Sequence, residues 1–530
     1  MIFLNNKPLR AALCLAVILA LFLTGIVRII AIIESDKITA AAESNSTVIS
    51  LSPLRGNIFD CNGVPLTEGE YRKYAVITPT PATVMYCSTA LYGDEKISVL
   101  EKLRSGKAAV IETDREMQCA GIFNLSVPVH SPKDGYCLHL LGYIDSSFHG
   151  VSGLEAAYDD LLYSDKKMTV RYAVGGNGNV LSGIEPQVNE YEEVTASGIM
   201  ITVDNTVQAV LEKATERLNK GAVVVSEAGT GKIRGMVSRP EFDISNLAES
   251  LESEDSPFLN RCLAGYNVGS AFKPCVAASA LENGRWNGFT AECTGVSEIA
   301  GHSFACHEAQ GHGTVDLESA IIHSCNSYFY ALSKRIGVEN IVNTASVFGF
   351  GYKKKLSAGI TTSGENLPDA KKLQNDIDLA NISIGQGELL ASPVTMLGLY
   401  EAIAMDGVYH TPTLFEGVVE NGVLKREDEA PAAVKAMSKK TADRLKGYLS
   451  EVVLSGTGKK AFSSLVSVAG KTATAETGWS EQGRAAQHSW FCGFFPAESP
   501  KYVVAVLVED SLGKESLAAE IFKEIAEGLF

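Results

Sequence analysis

Positive charge is scarce in this chain: its 530 residues carry 46 Lys and Arg against 62 Asp and Glu, a formal net charge of −16. Nucleic-acid binding needs a cationic face that neutralises phosphates, so this balance argues against it. A phosphate-binding loop is also missing. Gly470-Lys471-Thr472 has Leu465 where that motif needs glycine, and Gly229 to Lys232 lacks the following Ser or Thr. There is no internal repeat, no low-complexity tail after the last helical pattern, and no isolated carboxylate pair of the kind that hydrolyses glycosides. What is present is enough for large cores: 46% hydrophobic and 20% charged residues exclude wholesale disorder.

Eleven cysteines are present but show no disulfide-framework spacing. Cys275 and Cys325 fall in apolar helical patterns and read as buried free thiols, which a non-oxidising exterior would permit. Cys293, His302, Cys306, His307 and His312 crowd one stretch. Their spacing matches neither a zinc finger nor a ribbon, so a Cys293–Cys306 disulfide or free thiols are the preferred readings. No metal and no cofactor is expected.

Residues 11–27 carry no charge, and after Arg28 the apolar run continues from Ile29 to Ile33. About 20 apolar residues span a bilayer as a helix. Lys7 and Arg10 precede the run and no acid appears before Glu34, so the positive-inside bias keeps residues 1–10 in the cytoplasm and exports the rest. Ala40-Ala41-Ala42 resembles a signal-peptidase site, but the apolar stretch is longer than a signal peptide needs. The expectation is a retained anchor at 11–33.

Residues 34–196 are polar and irregular, with short strand-like runs, and read as an accessory region. From 197 to 530 the pattern changes. Asp204 is a good N-cap for a helix carrying Val207, Leu211 and Leu218 before Gly221. Ala222–Ser226 and Ile233–Ser238 read as a hairpin, and Trp490–Pro496 and Tyr502–Val508 as paired strands before a final helix. Strands at both ends with helices between them predict one antiparallel sheet flanked by helices, an α+β fold.

Within this region Ser270-Ala271-Phe272-Lys273 opens a helix, which places the Lys273 amine on the same face as the Ser270 hydroxyl. A serine becomes nucleophilic when a neighbour takes its proton, and a lysine can do so if burial lowers its pKa. Ser324-Cys325-Asn326 follows inside a helical run expected from Asp316 to Ile336, and Lys471-Thr472-Ala473-Thr474 lies on a strand-like segment. Singly each is weak; the three in this order match the signature of penicillin-recognising serine enzymes.

The chain resembles the monofunctional class B penicillin-binding proteins, peptidoglycan D,D-transpeptidases. Further matches are Arg55-Gly56-Asn57-Ile58-Phe59-Asp60, Gly150-Val151-Ser152-Gly153-Leu154-Glu155, Leu259-Asn260-Arg261, Ile384-Gly385-Gln386-Gly387 and Ser455-Gly456-Thr457-Gly458. The resemblance implies a penicillin-binding/transpeptidase fold preceded by an extended accessory (pedestal) domain. It implies attack by Ser270 on the D-Ala-D-Ala carbonyl of a stem peptide, Lys273 as base, and Ser324 as proton relay. Asn326 would orient Lys273 and bind the donor amide, Lys471 and Thr472 would meet the terminal carboxylate, and the backbone N–H groups of Ser270 and Thr474 would form the oxyanion hole. β-Lactams would acylate Ser270, and the expected partners are the membrane and a membrane glycosyltransferase. A β-lactam sensor, a β-lactamase-like protein and a degenerate scaffold are the alternatives. The one departure is Ala473 where the family carries glycine, so Ala473→Gly is expected to raise the acylation rate.

Overall fold

The computed structural model describes residues 7–33, 45–181, 184–189, 192–373, 375–426, 430–481 and 484–530. The alanine run at 40–42 and residues 1–6 lie outside them. Lys7–Ile33 forms one helix whose described side chains are exposed. At 1.5 Å per residue it is about 40 Å long, enough to cross a membrane.

The chain divides into two compact units. The first comprises residues 1–54, 70–129 and 165–192. Its Glu68–Ile77 strand lies between Ala109–Glu112 and Ile122–His130. Two helices, Pro81–Ala90 and Gly93–Arg104, place Cys87, Val99, Leu100 and Leu103 in one core with Ala75, Ile77 and Ile111. The sequence reading saw only strands and loops here. Thr80 starts the first helix by accepting a hydrogen bond from Thr83 N, with Pro81 at the first helical position.

The second unit comprises residues 55–69, 130–164 and 193–530. Its centre is a five-stranded antiparallel sheet, with strands β1 (Gly221–Glu227), β2 (Ile233–Arg239), β3 (Ala469–Glu481), β4 (Arg484–Phe495) and β5 (Tyr502–Val508) in spatial order β2-β1-β5-β4-β3. The two distant ends of the unit meet in the middle, Val223 opposite Val506 and Val225 opposite Val504. Helices cover both faces, which explains why β1 and β5 are apolar runs rather than alternating ones. Val223, Val225, Val504 and Val506 pack with Leu211, Ile521, Phe522 and Ile525. Ala222, Val224, Ala505 and Leu507 face the opposite core, with Phe272, Val276 and Leu399.

Two helices are shorter than their apolar spacing suggests. The one after Asp204 stops at Ala214, where the Thr215 hydroxyl donates to Leu211 O and Glu212 O. The run from Asp316 to Ile336 is two helices, Leu317–Ile322 and Asn326–Ile336. They are separated at Ser324, which adopts a left-handed φ of 54°.

The Arg55 and Glu155 motifs, far apart in sequence, are joined in this unit. Arg55 Nε lies 2.7 Å from Glu155 Oε2, and Arg55 Nη1 lies 2.8 Å from Asp159 Oδ1 and donates to Phe148 O. His130 Nε2 meets the other Glu155 oxygen at 2.7 Å.

Candidate active site

Ser270 lies in a 3₁₀ turn, Gly269–Phe272, that feeds directly into the helix Lys273–Glu282. Pro274 fits there because the first-turn amides have no intrahelical acceptor. That helix is buried from Lys273 to Ala280, which anchors the turn. The turn is wedged between two neighbours. Gly269 N donates to Gly385 O at 2.9 Å, and Gly385 has φ 74° with no room for a side chain, since a Cβ there would lie 2.1 Å from Gly269 O. On the other side, a Cβ on Gly269 would lie 2.8 Å from the Thr474 carbonyl of β3. The Ser270 turn and the third motif are therefore in backbone contact.

Lys273 is wholly buried, and its amine has three partners. It donates to Ser324 O at 2.7 Å, to Asn326 Oδ1 at 2.7 Å, and lies 3.2 Å from Ser324 Oγ. The left-handed turn at Ser324 allows both its carbonyl and its hydroxyl to face this amine, something a continuous helix would prevent. Burial brings the Lys273 pKa down to about 7, with the thiols of Cys325 and Cys306 opposing that shift. A neutral amine can keep its donor bonds to Ser324 O and Asn326 Oδ1 while its lone pair accepts a proton. Asn326 Nδ2 in turn donates to Ala305 O at 3.2 Å.

Lys471 on β3 is also wholly buried and donates to Thr472 O at 3.0 Å. Burial first, and the charge of Lys273 second, hold its pKa well below the ordinary lysine value. The Thr472 hydroxyl is 2.8 Å from that of Thr457, which ties the Ser455–Gly458 landmark to the third motif. Ala473 pairs with Trp490 in the buried layer beneath, 5% exposed, and its methyl is absent from the lining of the cavity described next.

Ser270, Asn326 and Thr474 open onto one cavity of about 620 Å³. Its other walls come from Ser303–Ala305, Tyr330, Gln386–Gly387, Glu476 and Gln487. The structure thus brings Ser270, Lys273, Ser324, Asn326, Lys471, Thr472 and Thr474 around one region. Sequence reasoning missed Ser303–Ala305, which stand on a small hairpin (Val296–Ile299 with His302–Ala305) whose short strands carry no periodic signal. It also missed Tyr330 and Glu476, whose position follows only from the helix break and from the exposed edge of β3.

The cysteine-rich stretch departs from expectation in part. All eleven cysteines are free, so of the two preferred readings the free thiols hold and the Cys293–Cys306 disulfide does not. Cys293, Cys306 and His312 do converge, but their fourth neighbour is Cys325 of the second motif rather than His302 or His307. Cys325 is buried as expected, at the helix N-cap rather than within the helix.

The fold and this serine–lysine arrangement are those of a penicillin-recognising acyltransferase. The family model described as the penicillin binding protein transpeptidase domain matches residues 221–527, so the chain belongs to that family. It is 27% identical to stage V sporulation protein D of Bacillus subtilis, over 96% of this chain and 82% of that protein. It is 25% identical to peptidoglycan D,D-transpeptidase MrdA of Acinetobacter baumannii, over 97% and 86%. Among solved structures, the D,D-transpeptidase domain of a peptidoglycan glycosyltransferase from Eggerthella lenta superposes with a TM-score of 0.65 at 24% identity, covering 90% of this chain and 98% of that one.

Proposed function

We propose that this chain is a membrane-anchored serine D,D-transpeptidase that cross-links peptidoglycan stem peptides through an acyl-enzyme on Ser270. The observation that carries the reading is the Lys273 amine, buried and held by Ser324 and Asn326, at the start of the helix that presents Ser270 to the cavity. In the acylation step Ser270 Oγ bonds to the carbonyl carbon between two terminal D-alanines and its proton passes to the neutral Lys273. The carbon–nitrogen bond then breaks, and Ser324 relays the proton to the leaving D-alanine amine. An amine of a second stem peptide attacks the ester, its proton returns through the same groups, and Ser270 is released. Backbone N–H groups of Ser270 and Thr474 would hold the developing oxyanion.

The buried Lys471 and the Thr472 hydroxyl suit the terminal carboxylate of the donor. Burial disfavours the lysine's charge when it is alone, and a bound carboxylate restores it, so substrate binding and protonation of Lys471 are linked. β-Lactams present a carboxylate and a strained amide to the same groups.

The domain reading is part of this proposal: 1–10 cytoplasmic, 11–33 the anchor, 34–196 accessory, 197–530 the transpeptidase domain on the outer side, with a membrane glycosyltransferase supplying glycan strands. The length of the N-terminal helix and the basic residues before it support this topology. Fluorescent penicillin labelling of the detergent-solubilised chain tests the chemistry. Wild type should label covalently and release D-alanine from a stem peptide, and Ser270→Ala should do neither. Labelling that survives in Ser270→Ala would sink the assignment of the nucleophile.

A further inference from the structure

We infer that Cys293, Cys306, His312 and Cys325 form a structural zinc site that fixes the second catalytic motif. Their ligand atoms all lie within 4.8 Å of one another. His312 Nδ1 is 3.5 Å from Cys293 Sγ and 3.6 Å from Cys306 Sγ. Around a tetrahedral zinc, with Zn–S about 2.3 Å and Zn–N about 2.0–2.1 Å, the sulfur–nitrogen separation comes out at about 3.5–3.6 Å. The three cysteines are buried and His312 is half-buried, so the set is closed, with four protein ligands and no open position. Three thiolates and one imidazole are soft donors that favour zinc over magnesium or calcium. His307, exposed and with its Nδ1 at 3.9 Å from Cys306 Sγ, stands outside the set.

The backbone is arranged to hold these ligands. Cys293 ends a short strand that pairs with Gly313–Val315, directly beside His312. Cys306 follows the hairpin that walls the cavity, and its N–H donates to Gly295 O at 2.8 Å. Gly311, at φ 78°, crosses so close to the cluster that a Cβ there would lie 2.2 Å from Cys293 O. Ser297 of the hairpin donates to Ser327 Oγ at 2.9 Å, a second tie between this loop and the helix that Cys325 caps.

Cys325 is the residue between Ser324 and Asn326, and those two supply every hydrogen-bond partner of the Lys273 amine given above. An ion on Cys325 therefore clamps the turn that positions the base, and it does so from outside the cavity. This gives the site a positioning role and no part in bond making. Binding needs three thiols to release their protons to solvent, and it leaves the sulfurs ligated and shielded from oxidation. The link to acylation rests on the transpeptidase reading; the ion itself does not.

The test uses the full chain purified in detergent with a thiol reductant and without added metal. Elemental analysis should find about one zinc per chain, and Cys293→Ser/Cys306→Ser should fall below about a tenth of that. Cys119→Ser, which lies outside the cluster, should stay at one. Cobalt loading of wild type should give the visible bands of a tetrahedral thiolate site, a readout that does not depend on any variant folding. Removing the zinc should slow penicillin labelling at least ten-fold, and zinc alone should restore it. Wild type that binds neither zinc nor cobalt, or a native peptide map with Cys293 disulfide-bonded to Cys306, would overturn the site. Full labelling by metal-free protein would leave the ion but overturn its positioning role. Zinc-replete wild type that never labels would instead count against the transpeptidase reading.

Discussion

Lys273 Nζ donates to Asn326 Oδ1 across 2.7 Å, so the second motif sets the geometry of the amine proposed to accept the Ser270 proton. With the Lys273 pKa near 7, β-lactam acylation should rise with pH, about ten-fold per unit below that value, and level off above it. Asn326→Asp places a carboxylate beside the amine, which favours its charged form. The midpoint of the acylation profile should then move up by about 1–3 units. A midpoint that stays put in Asn326→Asp would show that another group titrates.

Lys471 is buried with one hydrogen bond, to its neighbour's carbonyl, and its pKa is depressed mainly by desolvation. A lysine whose folded pKa is depressed binds fewer protons folded than unfolded. The stability it costs is greatest below its folded pKa and is recovered as pH rises toward the ordinary lysine value. Lys471→Met should therefore stabilise the fold at neutral pH by about 1–3 kcal/mol while reducing acylation at least a hundred-fold. Thermal melting and labelling kinetics on the same preparation check both halves. A variant that is less stable and still active would refute the proposed division between stability and function.

Ala473 stands where the wider family carries glycine, and the sequence alone suggests that removing its methyl should speed acylation. In the structure that methyl belongs to the buried layer with Trp490 and is absent from the cavity wall. Ala473→Gly should accordingly lower stability by about 1 kcal/mol and change the acylation rate less than about three-fold. A large rate increase would restore the sequence-based expectation.

Gly385 admits no side chain beside the Ser270 turn. In Gly385→Ala the Cβ would collide with Gly269 O, so the turn must shift and acylation should fall at least a hundred-fold. Hydrogen exchange should show the change concentrated at Gly269–Phe272. Wild-type acylation kinetics in this variant would mean the turn is not held by that contact.

The Arg55–Glu155 pair is nearly solvent-free, 0% and 3% exposed at the two side chains. Breaking it strands a buried charge, so Arg55→Met should destabilise the unit by about 3–5 kcal/mol. Arg55→Lys should recover only part of this, because an ammonium cannot make the forked contact to Glu155 and Asp159. Full recovery with lysine would show that charge alone matters there.

Much of the site was legible because its chemistry is tied to local spacing. Ser270 and Lys273 share one helical turn, and the apolar runs of β1 and β5 announce a sheet covered on both faces. The break at Ser324 was not legible. Its neighbours keep a helical apolar period, and only a left-handed φ, which no periodicity encodes, separates the two helices. The partnership of Cys325 with Cys293, Cys306 and His312 was hidden for a related reason. Cys293, Cys306 and His312 precede the helical run, whereas Cys325 lies inside its apolar pattern and reaches them only through that break. The helices at 81–104 escaped because the first has almost no amphipathic pattern and is defined by its cap.

The pairing of β1 with β5 also governs when the enzyme can exist during its own synthesis. Residues 221–227 emerge early and must wait for 502–508 before their central hydrogen-bond ladder can close. Until then the first hairpin offers an open apolar edge, and the hairpin bearing Lys471 has no strand to link it to the first. A nascent chain halted anywhere before residue 502 should therefore be without acylating activity and prone to association, whatever the condition of its Ser270 turn.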